Sequence, residues 1–268
     1  MTGGAPVEAA GWGIEVAEDH IAQAAEMLAE ARRNRQWIEG LPKAPASVAE
    51  AHAIQDRVAA LLGQPVGAFK ANAPPGAEPT RGLIFAPMIR PSPARFAVAE
   101  VPHLGVEAEI AFRFTRDLPA SATPCDRDTL RAAVTAMPAI EIVSGRFRDP
   151  RTRPPLEQLA DSIANGGLVL GPEIRDWSRL DLPQLHVTLL VNGAPIVQQQ
   201  GGHPIGDPLG VALALVDMMR QDRGVQAGQV VTTGSWTGLR FLAPGDRCTA
   251  RFEGLGEAEV TFGSAAAG

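Results

Sequence analysis

Three glutamates carry the strongest chemical signal in this chain. Glu107-Ala108-Glu109 opens a segment with the two-residue alternation of a β-strand, which puts residues i and i+2 on one face, so both carboxylates point the same way. Glu141 lies in Pro138-Ala139-Ile140-Glu141-Ile142-Val143-Ser144, where apolar neighbours mark a buried strand and a charge needs a partner or a cation. With no Cys or His nearby in sequence, three carboxylates suit a hard divalent ion with oxygen ligands, Mg2+ or Mn2+ before Zn2+. The alternative for Glu107 and Glu109 is a solvated strand face, where glutamates ordinarily reside.

Lys70 ends a short apolar strand, Val66-Gly67-Ala68-Phe69-Lys70, and a lysine in such company can have its pKa lowered towards acid/base work. The competing role is a surface lysine that buries only its stem. Asp161, in Leu159-Ala160-Asp161-Ser162, is an acid/base candidate whose alternative is a turn or cap aspartate. Thr232-Thr233-Gly234-Ser235-Trp236-Thr237-Gly238 strings hydroxyls and glycines after a strand. Such a loop offers N–H and O–H donors to a carboxylate or phosphate but matches neither nucleotide-binding fingerprint. His203, in Gly-Gly-His-Pro, suits a base or the end of one element and the start of another. Gly-x-Ser-x-Gly is absent, which disfavours serine hydrolase chemistry.

The elements that must position these groups change character along the chain. Apolar spacing predicts a helix over 16–33, and a second is bracketed by the Ser47/Glu50 capping box and the stop at Gly63. A strand over 66–71 and a Pro/Gly-rich loop over 72–81 follow. From residue 107 the period shifts towards two, with strands expected at 107–114, 138–144, 167–171, 185–191, 194–200, 229–233, 246–253 and 257–262. Asn192-Gly193 reads as a hairpin turn, and 207–221 as a buried helix. The expected organisation is a loose tail over 1–15, a helical/αβ segment over 16–100 and a β-rich catalytic domain over 101–268.

Composition narrows the function classes. The formal charge of −6 argues against nucleic acid or an anionic membrane as partner. The 28 Gly and 23 Pro among 268 residues stay below the roughly 25–30% that marks low complexity. The two cysteines, Cys125 and Cys248, are too few for a disulfide framework, which points to the cytoplasm. Apolar runs are far shorter than the roughly 20 residues of a membrane span, and the N-terminus lacks the pattern of a secretory signal.

Taken together, Gly67-Ala-Phe-Lys70, Val106-Glu-Ala-Glu-Ile-Ala-Phe112, Pro138-Ala-Ile-Glu-Ile-Val143, Leu159-Ala-Asp161 through Leu168-Val-Leu-Gly171, Gly202-His-Pro204 and the 232–238 loop resemble one family. It is the 2-keto-4-pentenoate hydratase and 2-oxohepta-3-ene-1,7-dioate hydratase family, within the fumarylacetoacetate hydrolase superfamily. The run from Ala243 to Phe262 extends the resemblance over roughly residues 17–262. It implies an α+β fold, with a mixed β-roll or barrel-like catalytic domain behind an N-terminal helical segment. It further implies Glu107, Glu109 and Glu141 as metal ligands, Lys70 and Asp161 as proton carriers, and Ser235 and Thr237 as contacts to substrate oxygens.

One loop departs from the family pattern. Where relatives carry Pro-Asp-aromatic-Gly, this chain has Pro79-Thr80-Arg81-Gly82, and Asp161 is followed by Ser162 instead of Asn. Arg81 is therefore expected either to bind a second carboxylate of a dicarboxylic substrate or to point into solvent. The expected function is a Mg2+- or Mn2+-dependent hydratase acting on a small 2-hydroxy-2,4-dienoate (a 2-oxo acid), in a homo-oligomer. Alternatives are decarboxylation of a 2-oxo-3-enedioate, C–C hydrolysis, and a non-catalytic ligand-binding descendant.

Overall fold

The computed structural model describes residues 12–264. Five α-helices are α1 (Trp12–Asn34), α2 (Val48–Leu62), α3 (Arg127–Ala132), α4 (Pro155–Ala160) and α5 (Pro208–Arg220) among the described residues. The first strands are β1 (Val66–Asn72), β2 (Thr80–Phe85), β3 (Ile89–Pro91), β4 (Ala94–Phe96), β5 (Gly105–Phe114) and β6 (Val134–Val143). Then come β7 (Asn165–Leu170), β8 (His186–Val191), β9 (Ala194–Gln200), β10 (Val230–Thr232), β11 (Arg240–Phe241), β12 (Arg247–Phe252) and β13 (Gly256–Phe262).

They form two mixed sheets. The larger runs β2-β1-β10-β5-β6-β7-β3, with β11 also beside β5, and the smaller runs β4-β13-β12-β8-β9. The pairs β1–β10 and β3–β7 are parallel, while the long central pair β5–β6 is antiparallel over ten residues each. Alternation then sorts the larger sheet into two faces. One face, with Phe69, Leu83, Ile110, Phe112, Ile140, Val169 and Val231, joins the smaller sheet and α5 in the main core. The opposite face carries Ala68, Ile84, Ala111, Met137, Ala139, Leu168 and Val230 as a second, smaller apolar cluster. Lys70, Glu107, Glu109 and Glu141 keep the parity of that second face.

The sheet curls so that β2 returns over the start of β7. A Cβ on Gly82 would lie 2.6 Å from the Ser162 carbonyl oxygen, so no larger residue fits this crossing without displacing backbone. Helices α1, α2 and α4 pack together around Ala25, Leu28, Ile54 and Leu159, closing over Phe85 and Phe147. As the capping pattern predicts, Ser47 Oγ accepts from the Glu50 N–H at 3.1 Å. Glu50, however, reaches the Ala46 N–H, one residue earlier than a standard box. The turn Asn192-Gly193 joins β8 to β9 with φ of 51° and 84°.

The α+β fold with a curled mixed sheet is what the sequence implies, and two boundaries differ. The loop expected over 72–81 ends early, because Thr80 and Arg81 begin β2 and pair with Asn72 and Ala71. The division near residue 100 does not follow the sheets, since β1–β3 complete the larger sheet and β4 edges the smaller one. Residues 1–11 of the expected tail lie outside the described residues, and α1 begins at Trp12. Among the described residues, no helix is long and apolar enough to cross a membrane.

Candidate active site

The register of β5 and β6 builds the acidic group. Glu107 sits directly opposite Glu141, and Glu109 lies one pleat further along the same face of β5. One carboxylate oxygen from each of the three lies within 4.8 Å of the others. Lys70 arrives from β1 through β10, whose Thr232 pairs with both Lys70 and Ala111. Its Nζ lies 2.9 Å from Glu141 Oε2 and 3.4 Å from Glu107 Oε2, with the lysine side chain 13% exposed.

Electrostatically the cluster is unbalanced. Burial first, then the neighbouring carboxylates Glu141 and Glu107, pushes Glu109 well above the usual carboxylate range. Burial also raises Glu141, against the pull of Lys70. For Lys70 burial works to lower the pKa, but Glu141, Glu107 and Glu109 outweigh it and hold the ammonium above its ordinary range. The sequence argument from apolar neighbours expected the opposite direction for Lys70. It failed because the side chain leaves its strand towards three acids that lie far away in sequence.

Each carboxylate is fixed by further contacts. Glu109 Oε2 accepts from the Gly234 N–H at 2.8 Å, which the loop presents through a φ of 116° at that glycine. Glu109 Oε1 is buried with no hydrogen-bond partner. Glu141 Oε1 accepts from Asn165 Nδ2 at 2.9 Å. Asn165 is delivered by an unusual turn: Ser162, Ile163 and Ala164 take φ of 55°, 55° and 57°, a conformation that costs non-glycine residues roughly 1–2 kcal/mol each. The turn is anchored where the Ala164 carbonyl accepts from the Ser144 N–H at 2.8 Å, just beyond the end of β6. Asn165 was not identified as a site residue from sequence; its signal is a polar side chain opening the apolar run Gly166 to Leu170.

The remaining candidates divide. Ser235 Oγ is buried without a partner, as is Thr232 Oγ1 on the cluster's face. Thr237 Oγ1 instead accepts from the Ala108 N–H at 3.2 Å and so ties the loop to β5. His203 pairs its Nε2 with the Thr233 carbonyl at 2.8 Å. Asp161 is not joined to Lys70: its Oδ1 accepts from Arg32 at 2.9 Å and its Oδ2 from the Arg146 N–H. Arg81 is not brought to the cluster either. It shares the parity of Ala71 and turns to the opposite face, where both oxygens of Asp56 on α2 accept from its Nη2 at 2.8 and 2.7 Å.

The chain is similar to known proteins over most of its length. The family model described as fumarylacetoacetate (FAA) hydrolase C-terminal matches residues 81–262. A 2-keto-4-pentenoate hydratase of Paraburkholderia phymatum is 31% identical over 262 residues, covering 91% of this chain and 98% of that one. The TodF product hydratase of Pseudomonas putida is 32% identical over 189 residues, 70% of each chain. A 4-oxalocrotonate decarboxylase of Pseudomonas putida is 28% identical over 163 residues, 60% of each. Among solved structures, the 4-oxalocrotonate decarboxylase from Pseudomonas putida G7, complexed with magnesium and adipate, superposes with a TM-score of 0.78 at 22% identity. That superposition covers 91% of this chain and 98% of the other.

Proposed function

The chain belongs to the fumarylacetoacetate hydrolase family, and on that footing we propose that it is a divalent-cation-dependent hydratase. It adds water to a 2-hydroxy-2,4-dienoate, through the 2-oxo-enoate tautomer, to give a 4-hydroxy-2-oxo acid, as in aromatic catabolism. The observation that carries this is the meeting of Glu107, Glu109 and Glu141 within 4.8 Å beside Lys70.

The donor set fits a cation: three carboxylates share one lysine, and Glu109 Oε1 is buried with no other partner. All-oxygen ligation favours Mg2+ or Mn2+. Such an ion, when bound, supplies Lewis acidity that stabilises negative charge on the 1-carboxylate and 2-oxygen of the substrate. Lys70 Nζ, an ammonium at rest, is the proton donor to C5 of the dienol as the 2-hydroxyl gives up its proton to solvent; the amine so formed accepts a proton from the water that adds at C4, while C3 takes up a proton from solvent. Ser235 Oγ is free to donate to a substrate oxygen, while Thr237 holds that loop in place. Asp161, its oxygens occupied by Arg32 and the Arg146 N–H, acts as a positioning residue for the turn that carries Asn165. A cytoplasmic setting and a homo-oligomeric state belong to the same proposal.

The test is an assay of purified protein against 2-hydroxydienoates and 2-oxo-enedioates, with and without Mg2+. Cation-dependent formation of the 4-hydroxy-2-oxo acid is the expected result, and no turnover by metal-loaded protein would favour the non-catalytic alternative. Release of CO2 from an enedioate would favour decarboxylation, the second reading that the 28% identical relative supports. Glu141→Ala should lose divalent-ion binding by calorimetry while its circular dichroism stays native; wild-type affinity would remove Glu141 from the site.

A further inference from the structure

A cavity of about 270 Å3 lies between the end of α1 and the turns that follow β6 and open β7. None of Lys70, Glu107, Glu109 and Glu141 lines it. Its charged lining is Arg32, Arg33, Arg35 and Arg146 against the single carboxylate of Glu100. In a chain of net charge −6, four guanidinium groups around one small hollow are a local inversion of the protein's field.

Among the described residues only Arg32 of the four is ion-paired. Glu100 Oε1 accepts from Arg90 at 2.7 Å and its Oε2 from the Ala97 N–H at 2.8 Å. Asp161, behind the cavity wall, takes Arg32 at 2.9 Å and the backbone of Arg146, not its side chain. Arg33 donates to the Leu61 carbonyl. The Arg146 guanidinium donates to the Ser144 carbonyl, and among the described residues no carboxylate stands within ion-pair distance of the side chain of Arg146 or Arg35. Burial, then Arg32, pushes Arg146 down to about 10, with Asp161 opposing. Arg35 itself sits at a φ of 53°, a left-handed backbone that is uncommon outside glycine, immediately after α1.

Apolar groups complete the lining: Trp37, Leu62, Phe85 and Met88. A bare inorganic anion would leave them uncovered, whereas a carboxylate on an apolar body would cover them and bring charge to the arginines. We propose that this cavity is a second ligand site, separate from the carboxylate cluster, for a small organic carboxylate with an apolar body, held by Arg35 and Arg146.

The probe is benzoate, titrated by calorimetry into the full-length, Mg2+-loaded protein, with benzamide and inorganic phosphate as controls. Binding with a Kd on the order of 1 mM or tighter is expected, with benzamide and phosphate each weaker by about tenfold or more. Arg35→Met and Arg146→Met should each weaken benzoate by about tenfold, and Glu141→Ala should leave it unchanged. Arg35 is exposed, so Arg35→Met decides the matter if Arg146→Met fails to fold. No binding of benzoate, equal binding of benzamide or phosphate, or full affinity in Arg35→Met would overturn the site. Loss of binding in Glu141→Ala would assign the benzoate to the carboxylate cluster instead.

Discussion

The carboxylate cluster and the α2–β2 corner both place charge inside the protein, but only one of them is balanced. At the corner, Arg81 is buried with its guanidinium forked onto Asp56, Gln55 Oε1 lies 3.5 Å from its Nη1, and Asp56 meets Arg223 at 3.0 Å. Gln55 also donates to the Arg81 and Leu159 carbonyls and accepts from the Leu83 N–H, so the polar atoms there have partners. In the cluster, three carboxylates face one lysine and Glu109 Oε1 has none. A charge that is paired and hydrogen-bonded serves folding, whereas an excess of one sign held in place by the surrounding fold is a cost retained for function.

The difference can be broken most sharply at Lys70. Lys70→Met removes the cluster's cation, and turnover is expected to fall roughly 10²-fold or more, the scale of one lost proton-transfer group, with KM changed less. Undiminished kcat would return Lys70 to a purely electrostatic role. Arg81→Ala should act the other way, leaving the ratio of kcat/KM for monocarboxylic and dicarboxylic substrates unchanged while lowering stability by about 1–3 kcal/mol, because Asp56 is partly exposed and keeps Arg223. Denaturant titration reads the stability, and an altered substrate ratio would revive a specificity role for Arg81.

The smallest effect concerns His52, whose Nε2 accepts from the Arg81 N–H at 3.1 Å. Burial, then the Arg81 guanidinium, pushes it down to about 4, with Asp56 opposing. A depressed histidine pKa means that the unfolded chain binds the extra proton first, so stability present above about 6.5 is lost as pH falls towards 4. Between pH 7 and 6 the loss is less than about 1 kcal/mol. His52→Gln should flatten that slope in thermal melts taken across pH, and an unchanged slope would place the titration elsewhere.

The parts legible in the sequence were those with a period. Strand alternation placed Glu107 and Glu109 on one face, and an apolar run marked Glu141 as interior, so the carboxylate cluster follows from local pattern. Arg81 was misplaced because β2 begins inside a Pro/Gly-rich stretch, and without a strand there is no parity to say which face a side chain takes. Asp161 looked like a partner for Lys70, but its actual partner comes from α1, more than a hundred residues earlier in the chain. Asn165 depends on a left-handed turn of Ser, Ile and Ala, residue types that carry no such preference of their own.

The placement of the glutamates in the middle of the larger sheet also bears on when the site can be lost. β5 is flanked by β6 on one side and by β10 and β11 on the other, and β6 by β5 and β7, whereas β9 forms an edge. Amides in the β5–β6 ladder are therefore positioned to exchange with solvent only through cooperative opening of the whole sheet, while those along the free side of β9 can exchange through local fraying. The carboxylate cluster then shares the protection of the most persistent unit of the fold: thermal fluctuation at the rim, or a cut in an exposed hairpin, leaves its spacing intact until the molecule unfolds globally.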